Sequence, residues 1–195
     1  SFVRIDPNPT QFQPGDDTTP APGIFAWVTG QNSDLGIDDV DNGVSATRSP
    51  LINLAGQEAA RLVLSYFHGQ RDPGNDAGDF FRIHLSNDGG ATWPVALVSI
   101  GDVTTSPAWH ELQVDLEDQL PLTAQMRIRV QAADGTQTGD IVQGGIDDVA
   151  VLDSGSGNEA PGAPVLVSPP DGAIGLPAAP TLVPVAAAAS ATAGR

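Results

Sequence analysis

Three features of the sequence predict an all-β fold, a two-sheet jelly-roll β-sandwich with a flexible C-terminal tail. The first is the acid composition. The 195 residues contain no lysine, and the carboxylates divide into 20 Asp and 4 Glu. Asp competes with the helical backbone and favours turns and caps, whereas Glu and Lys are the usual helix-surface residues. The second is punctuation: 22 Gly and 17 Pro interrupt helices rather than extend them. The third is a recurrence of short strand-like runs, with turn residues between them, from the N-terminus to residue 153.

In chain order, residues 1–5 read as a short strand. Residues 6–23 carry Pro7, Pro9, Pro14, Pro20 and Pro22 and read as an ordered loop or a linker. Residues 23–29 are strand-like and end at Gly30. An acidic loop follows over 32–43, then short extended pieces at 44–48 and 50–54. Residues 60–68 (ARLVLSYFH) have β-branched and aromatic residues without Gly or Pro, as a central strand requires. A second acidic loop spans 72–79. Residues 79–86 set Phe81, Ile83 and Leu85 against Phe80, Arg82 and His84, a period of two. Strands follow at 95–100, 109–116 and 124–132, the last two again alternating. A third polar loop covers 134–145, and a closing strand 146–152. The expected organisation is a sandwich over 1–153, a Gly/Ser linker over 154–160 and a separate stretch over 161–195 that turns alanine-rich.

The formal net charge of −16 excludes a nucleic-acid partner, whose phosphates need a basic footprint. It argues equally against an anionic membrane surface, and no run is long enough to insert in a membrane. Without cysteine there is no disulfide, thiolate metal site or Cys nucleophile. The acids do suit a hard divalent cation. Asp39 and Asp41 in the first loop, Asp79 at the end of the second, and Asp147 and Asp148 at a strand start are the candidate Ca²⁺ ligands. Neither loop has the EF-hand pattern, and solvated Asp-Gly turns are the competing reading.

Ser86-Asn87-Asp88-Gly89-Gly90-Ala91-Thr92-Trp93 resembles the Asp-box, a hairpin turn of secreted β-proteins. Asp88 would accept turn N–H groups, Gly89 and Gly90 would take positive φ, and Trp93 would tuck beneath. His68, His84 and His110 stand in no zinc spacing and read as strand residues. There is no nucleophile elbow, P-loop or dinucleotide fingerprint. Trp27 and Trp109 are candidate ligand-binding platforms, with core packing as the alternative.

Several segments taken together resemble one family. Residues 46–54 (ATRSPLINL), 61–69 (RLVLSYFHG), 109–116, 125–130 (QMRIRV) and 145–149 (GIDDV) are similar, in order, to MAM-like jelly-roll modules. Residues 27–31 (WVTGQ) and 39–43 (DVDNG) are similar to bacterial domains that accompany zinc carboxypeptidases and immune-inhibitor-A-like metalloproteases. The resemblance implies an extracellular two-sheet jelly roll, often holding structural Ca²⁺ in part through the Asp that matches Asp147. The family's opening strand, which usually lies beside the last one, has no counterpart ahead of Ser1. Residues 161–182 resemble the start of a fibronectin type III-like domain.

The expectation is a non-catalytic, calcium-stabilised accessory or adhesion module of a secreted, multi-domain bacterial protein. It would be tethered to other domains and would bind protein or glycan surfaces. Two alternatives remain open: a fragment of a secreted peptidase whose catalytic domain lies elsewhere, and a carbohydrate-binding module.

Overall fold

A computed structural model describes residues 2–5, 12–30, 37–71, 76–136 and 140–154. The fibronectin-like stretch over 161–195 and all but the first residue of the linker lie outside the described residues. The described residues form nine strands and no helix: β1 (Val3–Ile5), β2 (Ala26–Val28), β3 (Gly43–Arg48), β4 (Ala60–Arg71), β5 (Phe80–Ser86), β6 (Val95–Ile100), β7 (His110–Asp115), β8 (Arg127–Asp134) and β9 (Ile141–Asp153). Every described pairing of these strands is antiparallel. The first sheet runs β1-β2-β9-β4-β7 and the second β3-β8-β5-β6. Without β1, these two orders are those of an eight-stranded jelly roll, in which successive strands cross from sheet to sheet.

The period of two decides which residues meet between the sheets. Phe81, Ile83 and Leu85 of β5, Ile128, Val130 and Ala132 of β8, and Leu62 and Leu64 of β4 are all buried in one core. Their neighbours Arg82, His84, Arg127, Arg129 and Gln131 therefore stand on the outer face of the second sheet. A smaller cluster of Ala26, Val28 and Phe67, with Trp109 against it, covers the outer face of the first sheet.

Two elements differ from the sequence reading, and a third decides between its alternatives. Residues 50–54 form only an isolated bridge, Ile52 to Met126, because Pro50 has no N–H to add to a ladder. The Pro-rich segment is ordered loop over its described part: Trp109 Nε1 donates to the Asp16 carbonyl at 2.8 Å. The third loop is shorter than its polarity predicts, since β9 already starts at Ile141. A Cβ on Gly145 would lie 2.2 Å from the Phe67 ring, and one on Gly144 would lie 2.7 Å from the Phe81 ring. The aromatic rings fill the places of the missing side chains, so Gly-Gly continues a strand here instead of ending one. The place beside β9 is taken by β2 at Gly145 and Ile146.

Candidate cation centre and apolar cleft

β3, β5 and β9 begin, and β4 and β8 end, at one end of the sandwich, so their connecting loops meet there. The carboxylates of Asp79, Asp134 and Asp140, all buried, come within 4.8 Å of one another. Asp79 is 1% exposed. Its Oδ1 accepts from the Gly135 N–H at 2.7 Å and its Oδ2 from Gln70 Nε2 at 2.7 Å. Gln70 is itself fully buried and also donates to Asp102 Oδ1 at 2.9 Å. Asp102 Oδ2 in turn accepts from the Asp76 N–H. Asp134 is 6% exposed; its Oδ2 accepts from the Asn42 N–H at 2.8 Å. Its Oδ1 is buried and has no hydrogen-bond partner among the described residues. Asp39 Oδ1 is in the same condition.

Burial is the first cause that pushes the Asp79, Asp134 and Asp39 carboxyls above the usual carboxylate range. Like charge adds to it: Asp140, Asp76 and Asp102 act on Asp79, and Asp79, Asp140 and Asp41 act on Asp134. Hydrogen bonds from Gly135 and Asn42 pull the other way. Of the sequence candidates, Asp39, Asp41 and Asp79 thus share one end of the sandwich. Asp134 and Asp140 join them without having been singled out. Their sequence signal was weak, since both flank a polar loop that resembled any other turn.

Asp147 and Asp148 lie apart from this cluster, against the Pro-rich segment. Asp147 Oδ2 accepts from the Thr18 N–H at 2.8 Å and the Thr18 hydroxyl at 2.9 Å. The Asp148 carboxylate accepts from the hydroxyls of Thr18 and Thr19. Together they clip the Pro-rich segment onto β9. Asp148 has φ of 49°, and the β4–β9 register shifts there, between Val63 and Ser65. It is the extra residue of a β-bulge.

The Asp-box turn forms as the sequence implies. The Asp88 carboxylate accepts from the Ser86 hydroxyl at 2.7 Å and the Thr92 hydroxyl at 2.6 Å. These bonds, with the Thr92 N–H, hold it well below the usual carboxylate range. Gly89 and Gly90 have φ of 75° and 89°. Trp93 lies against Gly90, under the guanidiniums of Arg129 and Arg48.

The two candidate platforms separate. Trp109 packs edge-on against Phe67, with ring centroids 5.0 Å apart, and its N–H is used by Asp16. Trp27 is 42% exposed and lines a cleft of about 500 Å³ between the sheets. Ile146, Val149 and Val151 of β9 share its wall, facing Thr47 of β3 and Ile128 and Val130 of β8.

The sequence matches no family model and no curated protein. Among solved structures, the K1 cleaved adhesin domain of Lys-gingipain from Porphyromonas gingivalis W83 is similar at 16% identity and a TM-score of 0.44, over 80% of this chain and 90% of that one. A cyclase from Fischerella sp. TAU aligns at 12% identity and a TM-score of 0.40, over 77% of this chain and 71% of that one. A family 16 carbohydrate-binding module aligns at 7% identity and a TM-score of 0.35, over 70% and 82%. These are distant likenesses, and the assignment as a two-sheet sandwich rests on the strand order alone.

Proposed function

We infer that this chain is a non-catalytic accessory binding module braced by a divalent cation, most simply Ca²⁺, at Asp79, Asp134 and Asp140. The carrying observation is the set of three buried carboxylates within 4.8 Å, with the Asp134 Oδ1 left without a hydrogen-bond donor. Oxygens that ligate one Ca²⁺ at 2.3–2.6 Å can stand no more than about 5 Å apart, so the spacing suits a single ion. The centre is fixed by backbone N–H groups and closed to solvent. Three buried carboxylates around one point suit an ion, which supports bracing. Asp39 and Asp41, beside it, are the remaining sequence candidates for outer ligands.

A secreted, multi-domain setting agrees with the MAM-like motifs. The exposed Trp27 and its cleft supply a surface for a protein or glycan partner. No helix among the described residues is long and apolar enough to cross a membrane.

The test is thermal unfolding of the full chain in Ca²⁺ and in chelator. Ca²⁺ at one hundred times its dissociation constant contributes about 2.7 kcal/mol, which raises the Tm by several degrees. Asp134→Asn removes most of that rise and keeps the fold. An identical melting curve with and without Ca²⁺ rejects the cation.

A further inference from the structure

The outer face of the second sheet carries a charge pattern opposite to that of the whole molecule. Half of the eight Arg in a chain of net charge −16 stand on it. Arg48 of β3 lies directly across from Arg129 of β8, and Arg129 lies directly across from His84 of β5. Arg127 is the next outward residue along β8, and Arg82 the next along β5. Directly opposed residues on a sheet have Cβ atoms about 5 Å apart, and like charges there are destabilising. Arg48 lowers the Arg129 pKa, after burial, and Arg129 and Arg82 lower that of His84, again after burial.

Among the described residues no carboxylate pairs with these guanidiniums. None of the four strands places an Asp or Glu outward between these arginines, since Asp134, at the end of β8, turns inward. Among the described residues, none of the four guanidiniums is ion-paired; the one ion pair described, Arg61 with Asp115, lies on the other sheet. Arg127 Nε, Arg129 Nε and His84 Nδ1 are buried and lack hydrogen-bond partners among the described residues. Rings hold the heads in place: Arg82 lies 3.9 Å from the Phe80 ring centre and Arg129 4.5 Å from that of Trp93. The four guanidiniums are of one sign, and three of them are held over rings.

We propose that this face binds an acidic glycan, a chain whose sugar rings carry carboxylate or sulfate groups. Guanidiniums suit both groups through paired N–H donors. The neutral side chains of Gln131, across from Arg82 on one side, and Ser99, across from it on the other, are placed for sugar hydroxyls. Double-stranded nucleic acid, with one charge per about 1.7 Å, would be repelled by the rest of an acidic molecule, whereas a glycan charged only on every second ring is repelled less. The proposal deepens the reading as a binding module and does not require the cation.

The experiment uses the full chain and calorimetric titration with a hyaluronan octasaccharide, a heparin octasaccharide, neutral cello-oligosaccharide and oligothymidylate. Each is run in Ca²⁺ and in chelator. The expected result is saturable binding of at least one acidic glycan, weakened at least about fivefold between about 50 and about 200 mM salt. Arg48→Gln and Arg82→Gln each weaken it about fivefold or more, while Arg61→Gln leaves it unchanged. Arg48 is exposed, so its variant tests the site even if Arg82→Gln misfolds. Equal binding of the neutral glycan, tighter binding of oligothymidylate, indifference to Arg48→Gln or no saturation overturns the proposal. Acidic-glycan binding with no Ca²⁺ shift in Tm would reject the cation alone; the reverse pair of results would reject the glycan alone.

Discussion

His68 lies in the middle of β4, 2% exposed and stacked on Phe81. Its Nδ1 meets the Thr105 hydroxyl at 3.2 Å. Burial lowers its pKa from 6.5 to about 4, so the imidazole stays neutral in the fold while the unfolded chain takes up a proton near pH 6.5. Above that value His68 leaves stability indifferent to pH. As the pH falls from 6.5 towards about 4, the unfolded state gains the proton and the fold loses roughly 3 kcal/mol. The carboxyls of Asp39, Asp79 and Asp134 act in the opposite sense: raised above their ordinary value, they favour the fold as acid neutralises them. Urea denaturation at a series of pH values should therefore show His68→Gln losing less stability than the wild type across this window. Parallel curves for the two proteins would mean that His68 takes its proton equally well in the fold.

Among the elements, β9 gives the clearest account of what sequence can and cannot show. Its second half was legible because Ile146, Val149 and Val151 are strand formers. Its first half was hidden, because Gln143-Gly144-Gly145 has the composition of a turn. What makes it a strand is the approach of Phe67 and Phe81, residues far away in the sequence. Gly145→Ala brings a methyl against Phe67 and should cost about 1–3 kcal/mol by overpacking. Gly56→Ala is the contrast: a Cβ there meets nothing within 4 Å, although φ is 83°, so its cost is confined to local backbone strain. Equal denaturation midpoints for Gly145→Ala and the wild type would mean that β9 shifts freely away from Phe67. The strands with period two, β5, β7 and β8, were readable to within a few residues, since alternation reports burial directly. The candidate cation centre was only half readable. Its three carboxylates sit at strand ends whose convergence is set by the crossings between sheets, and no local pattern encodes that. Asp147 and Asp148 show the converse: two adjacent acids whose place in a bulge and in a clip to Thr18 and Thr19 no local pattern announces.

At the scale of the molecule, charge is sorted by place. The acids gather at one end of the sandwich and at the clip on β9, and the arginines on the outer face of the second sheet. The same sheets carry both proposed sites, so ligands at the two should stabilise the fold independently. The rises in Tm from Ca²⁺ and from acidic glycan are expected to add, because the sites share no side chain.

The cleft beside Trp27 has a consequence for how the protein behaves in concentrated solution. β2 flanks β9 only at Gly145 and Ile146, so β9 from Val149 onward has no described strand on that side. Val149 and Leu152 are about half exposed there. An uncovered strand beside an apolar opening is a template for another chain. A net charge of −16 makes copies repel one another, and that repulsion is short-ranged in salt. Light scattering should report a monomer in dilute buffer and growing assemblies as ionic strength rises, delayed by Val149→Asp. Scattering that ignores salt would mean that this margin is already covered. The acidity first seen in the composition thus bears on association in solution as well as on the candidate cation centre.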